Sequence, residues 1–538
     1  MTGITKLPLE ITGVILANLD HSRSLKSAVL ACRHFYSSFL ENHAVEVSVI
    51  RRQIGPALLP YAVAVAEASR LPRAPRPAES VQGLLEELLN SPARMAARIS
   101  TLPSELIRNM SKLHDAVEYF TTKYSSSALA KYTPLPSSSD SPQQLEPTIP
   151  SPISVLEHLR FCRAFYCIEL YSILFRHGDV REEDIRRLFL APLLPWEIEQ
   201  KRCAYEFLHV DLMLGGLHDI LAHDVDYGEL EVNYVEYQEP NWFVDGMLAS
   251  GLVFIHQFVL ATTYNDKNKV LRPTPFPDSF GHDIKWPLLD VLADMPDFDN
   301  ENIQDGLKTT NPIKGWTYED VLTLASRYRT SSSNYPNDHK EDPDRSPFMT
   351  WQRVNSDKPI WDTVTWSTKD KHLIWRAYVM WDHARMEHEF QNYLGESEPH
   401  PLAYTEEDLK EMHLSFQIRN EIYKRGGHGY WSRGDLSQIE WTCSPGFPPP
   451  DLLSNFEDAI REEYDRETAW LHTREYQMLM RGGLEFLSGH GLTHNEIEAI
   501  NREYMQSHPE AVQADQRVEE DSAEQVPETD QAGQTSQV

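Results

Sequence analysis

Cysteine is scarce in this chain: Cys32, Cys162, Cys167, Cys203 and Cys443 are the five thiols among 538 residues, and none form a Cys-x-x-Cys pair. So odd and sparse a set excludes a disulfide scaffold and fits the reduced thiols of an intracellular protein. Long apolar runs are missing as well. The best stretch, 247–263, is broken by His256 and Gln257, so no window of about 20 apolar residues offers a membrane span. The opening MTGITKLPLEITGVIL has no long apolar segment ahead of its charges, and Glu10 interrupts the run, so a secretory signal is not expected. Positive charge is also in short supply. Lys plus Arg is 50 against 81 Asp plus Glu, a net charge of −31, which argues against general affinity for nucleic acid or an anionic membrane. Finally, the motifs of nucleotide and acyl chemistry are missing: no GxxxxGK[ST], no GxGxxG after a strand, no GxSxG elbow and no HExxH.

What remains is a chain with 41% apolar and 24% charged residues, long enough for roughly three domains and a sizeable core. Its composition divides it. Residues 4–43 form a compact apolar unit and 44–132 a helical connecting region. Residues 133–152 are a Pro/Ser-rich linker expected to be disordered, because it has little to bury. All twelve tryptophans lie between Trp196 and Trp470, which places the main core in 153–505 with a polar loop at 330–347. The tail, 506–538, carries eight acids and no aromatic residue, and disorder is expected there too. Helix punctuation is frequent. Thr317-x-x-Asp320, Thr405-x-x-Asp408 and Thr493-x-x-Glu496 read as caps, and Lys424-Arg425-Gly426-Gly427 and Arg481-Gly482-Gly483 as helix ends. Strand-like alternation is clearest at Glu229–Tyr237. The expected fold is mainly α, with at most a small β element.

In the N-terminal unit, Pro8 suits a helix start, where its missing N–H costs nothing, and Ile11, Ile15 and Leu19 follow at four-residue spacing beside Val14 and Leu16. After the turn at 20–24, Leu25, Ala28, Cys32, Phe35 and Phe39 repeat at three and four residues, as one further helical element would. About forty residues cannot supply a stable core alone, so this unit must pack on the rest of the chain or on a partner. Leu7, Pro8, Glu10, Ile15, Leu16, Leu19, Asp20, Leu25, Ala28, Cys32 and Phe35 together resemble the F-box family, with His34-Phe35-Tyr36 standing where the family usually has a Trp or bulky basic residue. The resemblance covers about 40 residues, and the long helical, Trp-rich remainder looks like that of F-box proteins of filamentous fungi.

The resemblance implies a three-helix unit that binds the Skp-type adaptor of a cullin–RING ubiquitin ligase. Leu7, Pro8, Ile11, Ile15 and Leu16 would do the docking, with Glu10, Leu19, Leu25, Cys32 and Phe35 completing the adaptor-binding set. The rest of the chain would recruit an unknown substrate protein, without catalytic residues or cofactor, in the cytoplasm or nucleus. The alternative is an F-box-bearing interaction scaffold acting outside a ligase. A second LPxEL at 102–106 lacks the rest of the pattern and reads as a Pro-started structural helix.

Groups capable of chemistry are few. His218 and His223 lie five residues apart, about 140° around a helix, which is poor for joint metal ligation, and His383 and His388 share that spacing. Cys162 and Cys167 sit in an apolar helical pattern and read as core packing. No bound metal is therefore expected. The dense set Trp351, Trp361, Trp366, Trp375 and Trp381 reads as a core anchor, with exposed rings available for recognition as the alternative. Within it, Ile374, Tyr378, Trp381 and Met386 suggest one amphipathic helix, with Arg376, Asp382, Arg385 and Glu387 on its solvated side.

Overall fold

The computed structural model describes residues 7–42, 44–72, 77–130, 152–175, 180–190, 192–212, 218–227, 242–271, 288, 313–328, 345–357, 371–388, 406–442 and 456–467. Among these the chain is mainly α-helical, with one two-stranded sheet. It divides into two units, Met1–Pro448 and Pro449–Val538.

The first unit begins with three short helices: α1 (Leu9–Ala17), α2 (Ser22–Ala31) and α3 (Arg33–Glu41). Pro8 precedes the first helical residue of α1, and its carbonyl accepts from the Thr12 N–H at 3.1 Å. The stretch read as one element is two helices, because Cys32 is extended (φ −159°, ψ 157°) and folds α3 back against α1. That return lets Ser38 Oγ donate to the Leu9 carbonyl at 2.7 Å. It also explains Gly13, where an added Cβ would lie 3.2 Å from Asn42 Nδ2 and 3.4 Å from Ser38 Oγ. Leu16, Leu25, Val45 and Val49 make a small core, edged by Leu19, Phe35 and Phe39.

Val45 and Val49 belong to α4 (Ala44–Ile54), whose other side, Val47, Ile50 and Ile54, enters the main core. One helix thus serves two cores. A polar clamp adds to it: His21, Arg23 and Gln53 all reach Asp115, at 2.9, 2.8 and 3.1 Å.

The main core joins α5 (Leu59–Ala68), α6 (Ala78–Asn90), α7 (Pro92–Ala97) and α8 (Ser104–Ala130) to α9 (Val155–Phe175), so residues on both sides of the linker share one interior. The second LPxEL does start a helix, the 27-residue α8. α9 opens with a reciprocal cap in which Ser154 N–H donates to Glu157 and Glu157 N–H donates to Ser154 Oγ. Further helices close around it: α10 (Glu182–Ile185), α11 (Pro195–Leu212), α12 (His218–His223), α13 (Trp242–Ala249), α14 (Leu252–Leu260), α15 (Tyr264–Leu271), α16 (Tyr318–Tyr328) and α17 (Ser346–Val354). The Thr317–Asp320 cap is present in both directions. α17 begins inside the expected polar loop, whose residues 330–344 lie outside the described set.

Residues 371–388 depart from the expected amphipathic helix. They form α18 (Lys371–Trp375) and α19 (His383–His388), separated by turns in which Ala377 takes φ 53°. Arg376 and Arg385 are buried rather than solvated, and α9 supplies the partner of Arg385, which pairs bidentately with the fully buried Glu157 at 2.8 Å; Arg160, also on α9, reaches Asp382 at 2.7 Å. Trp351, Trp375 and Trp381 are buried, so these three are core and form no recognition groove; Trp361 and Trp366 lie outside the described residues.

α20 (Glu406–Lys424) ends as its sequence suggested, with Gly426 at φ 82°. The glycines continue into β1 (Gly427–Gly429), paired antiparallel with β2 (Ile439–Trp441), a strand pair the sequence did not indicate. The linker up to residue 151, the strand expected at 229–237, the capping residue Thr405, the cap at 493–496, the helix end at 481–483 and the acidic tail lie outside the described residues. In the second unit α21 (Phe456–Glu467) is described, with Glu457 and Asp458 in its positive first turn.

Candidate functional site

α1 is apolar on nearly every side, so it must leave some apolar surface exposed. It buries a single large side chain, Leu16, together with Thr12 and Gly13. What it exposes is large. Ile11 is 50% exposed, Val14 58% and Ile15 40%, with Leu7 beside them. Leu30, Tyr36 and Leu40 on α2 and α3 are exposed too, so seven of the ten exposed large hydrophobic residues among those described fall within residues 7–40. Such a concentration marks an interaction surface rather than scattered surface apolarity.

The anticipated residues therefore separate. Leu7, Pro8, Glu10, Ile11 and Ile15 are exposed on or just ahead of α1; Leu19, Cys32 and Phe35 are half-buried. Leu16 and Leu25 point inward into the small core, which removes Leu16 from the expected docking residues and Leu25 from the wider adaptor-binding set: these side chains hold the helices together and have no surface to offer. Val14, Leu30, Tyr36 and Leu40 were missed. Their signal lay in the helical register: Val14 follows Leu7 and Ile11 at spacings of four and three, and Tyr36 and Leu40 stand one turn apart on α3.

Beside this unit lies a cleft of about 950 Å³, lined by His21, Arg23, Gln53, His114, Asp115 and Glu118 among others. At Glu118, α8 meets α9 in a second constellation. His158 Nε2 donates to Glu118 Oε2 at 2.9 Å, and Cys162 Sγ lies 3.7 Å from both Glu118 Oε1 and His158 Nε2. His114 Nε2 stands 3.5 Å from Glu118 Oε1, while its Nδ1 shares a 3.0 Å hydrogen bond with the Tyr166 hydroxyl.

The protonation states follow from these neighbours. Glu118's hydrogen bond and charge raise the His158 pKa against partial burial. Burial works to raise the Glu118 carboxyl, but His158 and His114 outweigh it and hold the carboxyl below its usual range. Burial lowers His114. Burial, reinforced by the Glu118 charge, pushes the Cys162 thiol well above the ordinary thiol range. Cys162 is 0% exposed, so it does not suit the role of a thiolate nucleophile.

Of the expected histidine pairs, His223 Nδ1 donates to the Trp431 carbonyl at 2.8 Å and His383 pairs with Glu387 at 3.0 Å; the side chains of His218 and His388 lie outside the described set. No protein-family model matches the chain, and comparison with curated proteins and with solved structures finds no match either. Among the described residues no helix is long and apolar enough to cross a membrane.

Proposed function

We propose that residues 4–43 are an F-box-like adaptor-binding unit, and that the chain is a non-catalytic subunit recruiting a substrate protein to a cullin–RING ubiquitin ligase. The observation that carries this reading is the orientation of α1: it buries Thr12, Gly13 and Leu16 and exposes Ile11, Val14 and Ile15. A helix that folds on itself for stability alone would gain by the opposite choice, since each large aliphatic side chain removed from water contributes about 1.5–3 kcal/mol. The exposed residues include Leu7, Pro8, Ile11 and Ile15, four of the five on which the family resemblance rests the docking. Helix anchors at such spacing suit insertion into a groove of a partner. Ligation would then proceed by proximity, the body holding substrate lysines at high effective concentration near the charged enzyme.

The test is capture of a purified Skp-type adaptor by the full chain and by the double variant Ile11→Asp with Ile15→Asp. Both positions are exposed, so the fold should survive, while a carboxylate in a desolvated docking face costs enough to reduce capture at least about 100-fold. Equal capture by both chains refutes the adaptor reading. Capture of adaptor without cullin would favour the scaffold alternative.

A further inference from the structure

We propose that Glu118, His158 and Cys162 form a binding site for a divalent transition-metal ion, zinc by preference, built across α8 and α9. The inference stands apart from the docking reading and departs from the expectation that the protein holds no metal. It begins with spacing. His114 and Glu118 are one turn apart on α8, and His158 and Cys162 one turn apart on α9, so two His-x-x-x-ligand pairs meet where these helices pack. Three ligand atoms, one from each of Glu118, His158 and Cys162, lie within 4.8 Å of one another.

Tetrahedral zinc has Zn–S near 2.3 Å and Zn–N and Zn–O near 2.0–2.2 Å, which sets ligand–ligand edges of about 3.3–3.6 Å. Cys162 Sγ lies 3.7 Å from His158 Nε2 and 3.7 Å from Glu118 Oε1, while His158 Nε2 lies 2.9 Å from the other carboxylate oxygen, Oε2; with one oxygen taken as ligand, every edge is within 4.8 Å. An ion replacing the shared proton between His158 and Glu118 would open the short edge toward that range, with shifts of a few tenths of an ångström. The donor set is sulfur, nitrogen and oxygen, which suits zinc or cobalt and not magnesium or calcium, whose ligands are oxygens. Charge balances too: a thiolate and a carboxylate neutralise a divalent cation, which is what makes a thiolate tolerable at so buried a position as Cys162.

On binding, metal–sulfur, metal–nitrogen and metal–oxygen bonds form, the Cys162 S–H and the Nε2–H of the protonated His158 imidazole break, and both protons leave to solvent, with Nδ1 keeping its own. Water fills the fourth position. Glu118 and His158 are 38% and 34% exposed at the side chain, and Glu118 lines the cleft, so an ion has a way in. His114 acts as a positioning residue: it faces one Glu118 oxygen and is itself held by Tyr166.

The test uses the full chain, stripped with chelator and titrated with Zn2+ by calorimetry and with Co2+ by absorption. The expected result is one ion per chain, with the visible bands of tetrahedral cobalt and a near-ultraviolet thiolate-to-metal band. Cys162→Ser should lose the thiolate band. Cys162→Ser and Glu118→Gln should each weaken binding at least about 100-fold. Melting in metal-free buffer checks their folds, and only the unaltered chain should melt higher when zinc is added. Failure of the unaltered chain to take up one ion overturns the site. So does binding by Cys162→Ser with unchanged affinity and spectrum, which would assign the ion to other residues.

Discussion

The N-terminal helices and the body depart from ordinary burial in opposite senses. Residues 7–42 put large aliphatics outside and bury the hydroxyls of Thr12 and Ser38; the body buries Trp351 and Trp381 but also Glu157, Arg160, Glu169, Arg376 and Arg419. Exposed apolar area is stability left uncollected, which is reasonable where a partner will cover it. Buried charge is costly unless paired, and here the pairs tie distant segments: Glu157 on α9 to Arg385 on α19, more than two hundred residues later. The body's charges therefore fix which helices meet, while the N-terminal unit keeps its apolar surface available. The difference separates a part whose apolar surface stays open from a part whose interior is closed and tied by charge pairs.

The largest way to break this contrast is Glu157→Gln. It leaves Arg385 buried with an uncompensated charge, although Arg385 keeps its bond to the Pro152 carbonyl at 2.8 Å. Urea denaturation should show a loss of about 3–5 kcal/mol; a loss under about 1 kcal/mol would mean that the pair does not hold the body together. Next comes a comparison within α1. Leu16→Ala empties a position 1% exposed and should cost about 2–5 kcal/mol. Ile11→Ala, at a position 50% exposed, should change stability by no more than about 0.5 kcal/mol. If the two cost the same, α1 is not oriented as described.

Much of this was legible in the sequence where the physics is local. The Thr317 cap, the helix end at Gly426, the start of α8 after Leu102-Pro103 and the mainly α character all follow from neighbours a few residues apart. What the sequence concealed depends on distant partners. Arg385 and Asp382 looked solvated because their partners, Glu157 and Arg160, lie more than two hundred residues earlier on α9. Leu16 looked like a docking residue because it shares α1 with Ile15, and only the return of α3 and α4 turns it inward. The Glu118–His158–Cys162 cluster has no signature in any one stretch of sequence, because its residues come from two helices, α8 and α9, separated by the linker. Cys162 read correctly as buried, but its neighbour one turn earlier, His158, was not weighed with it.

The subtlest expected effect uses pH to sharpen the same contrast. Glu169 on α9 accepts the Leu252 N–H at 2.6 Å where α14 begins, and Gly251 is required there, at φ 95°, because a Cβ would lie 2.9 Å from Glu169 Oε1. Burial raises this carboxyl from 4.5 to about 7, against the pull of the Leu252 N–H. A carboxyl raised in the folded state keeps a proton that the unfolded chain has released, so between these pH values the folded form binds more protons and stability falls as pH rises. Below the unfolded value both forms are protonated, and above the folded value both are ionised. The difference, 7 − 4.5 = 2.5, corresponds to at most roughly 3 kcal/mol. Asp224, raised by burial from 3.8 to about 6, acts in the same direction but is largely spent by pH 6. Glu169→Gln keeps an oxygen to accept from Leu252 and cannot titrate, so its stability should decline less than that of the unaltered chain between pH 6 and 7, as read by urea titration at each pH. Leu16→Ala, in a unit whose buried polar groups are hydroxyls, should shift the whole curve down without altering its slope. Parallel curves for Glu169→Gln and the unaltered chain would show that the body's buried carboxyl is ionised throughout, and that its interior tolerates an unpaired charge after all.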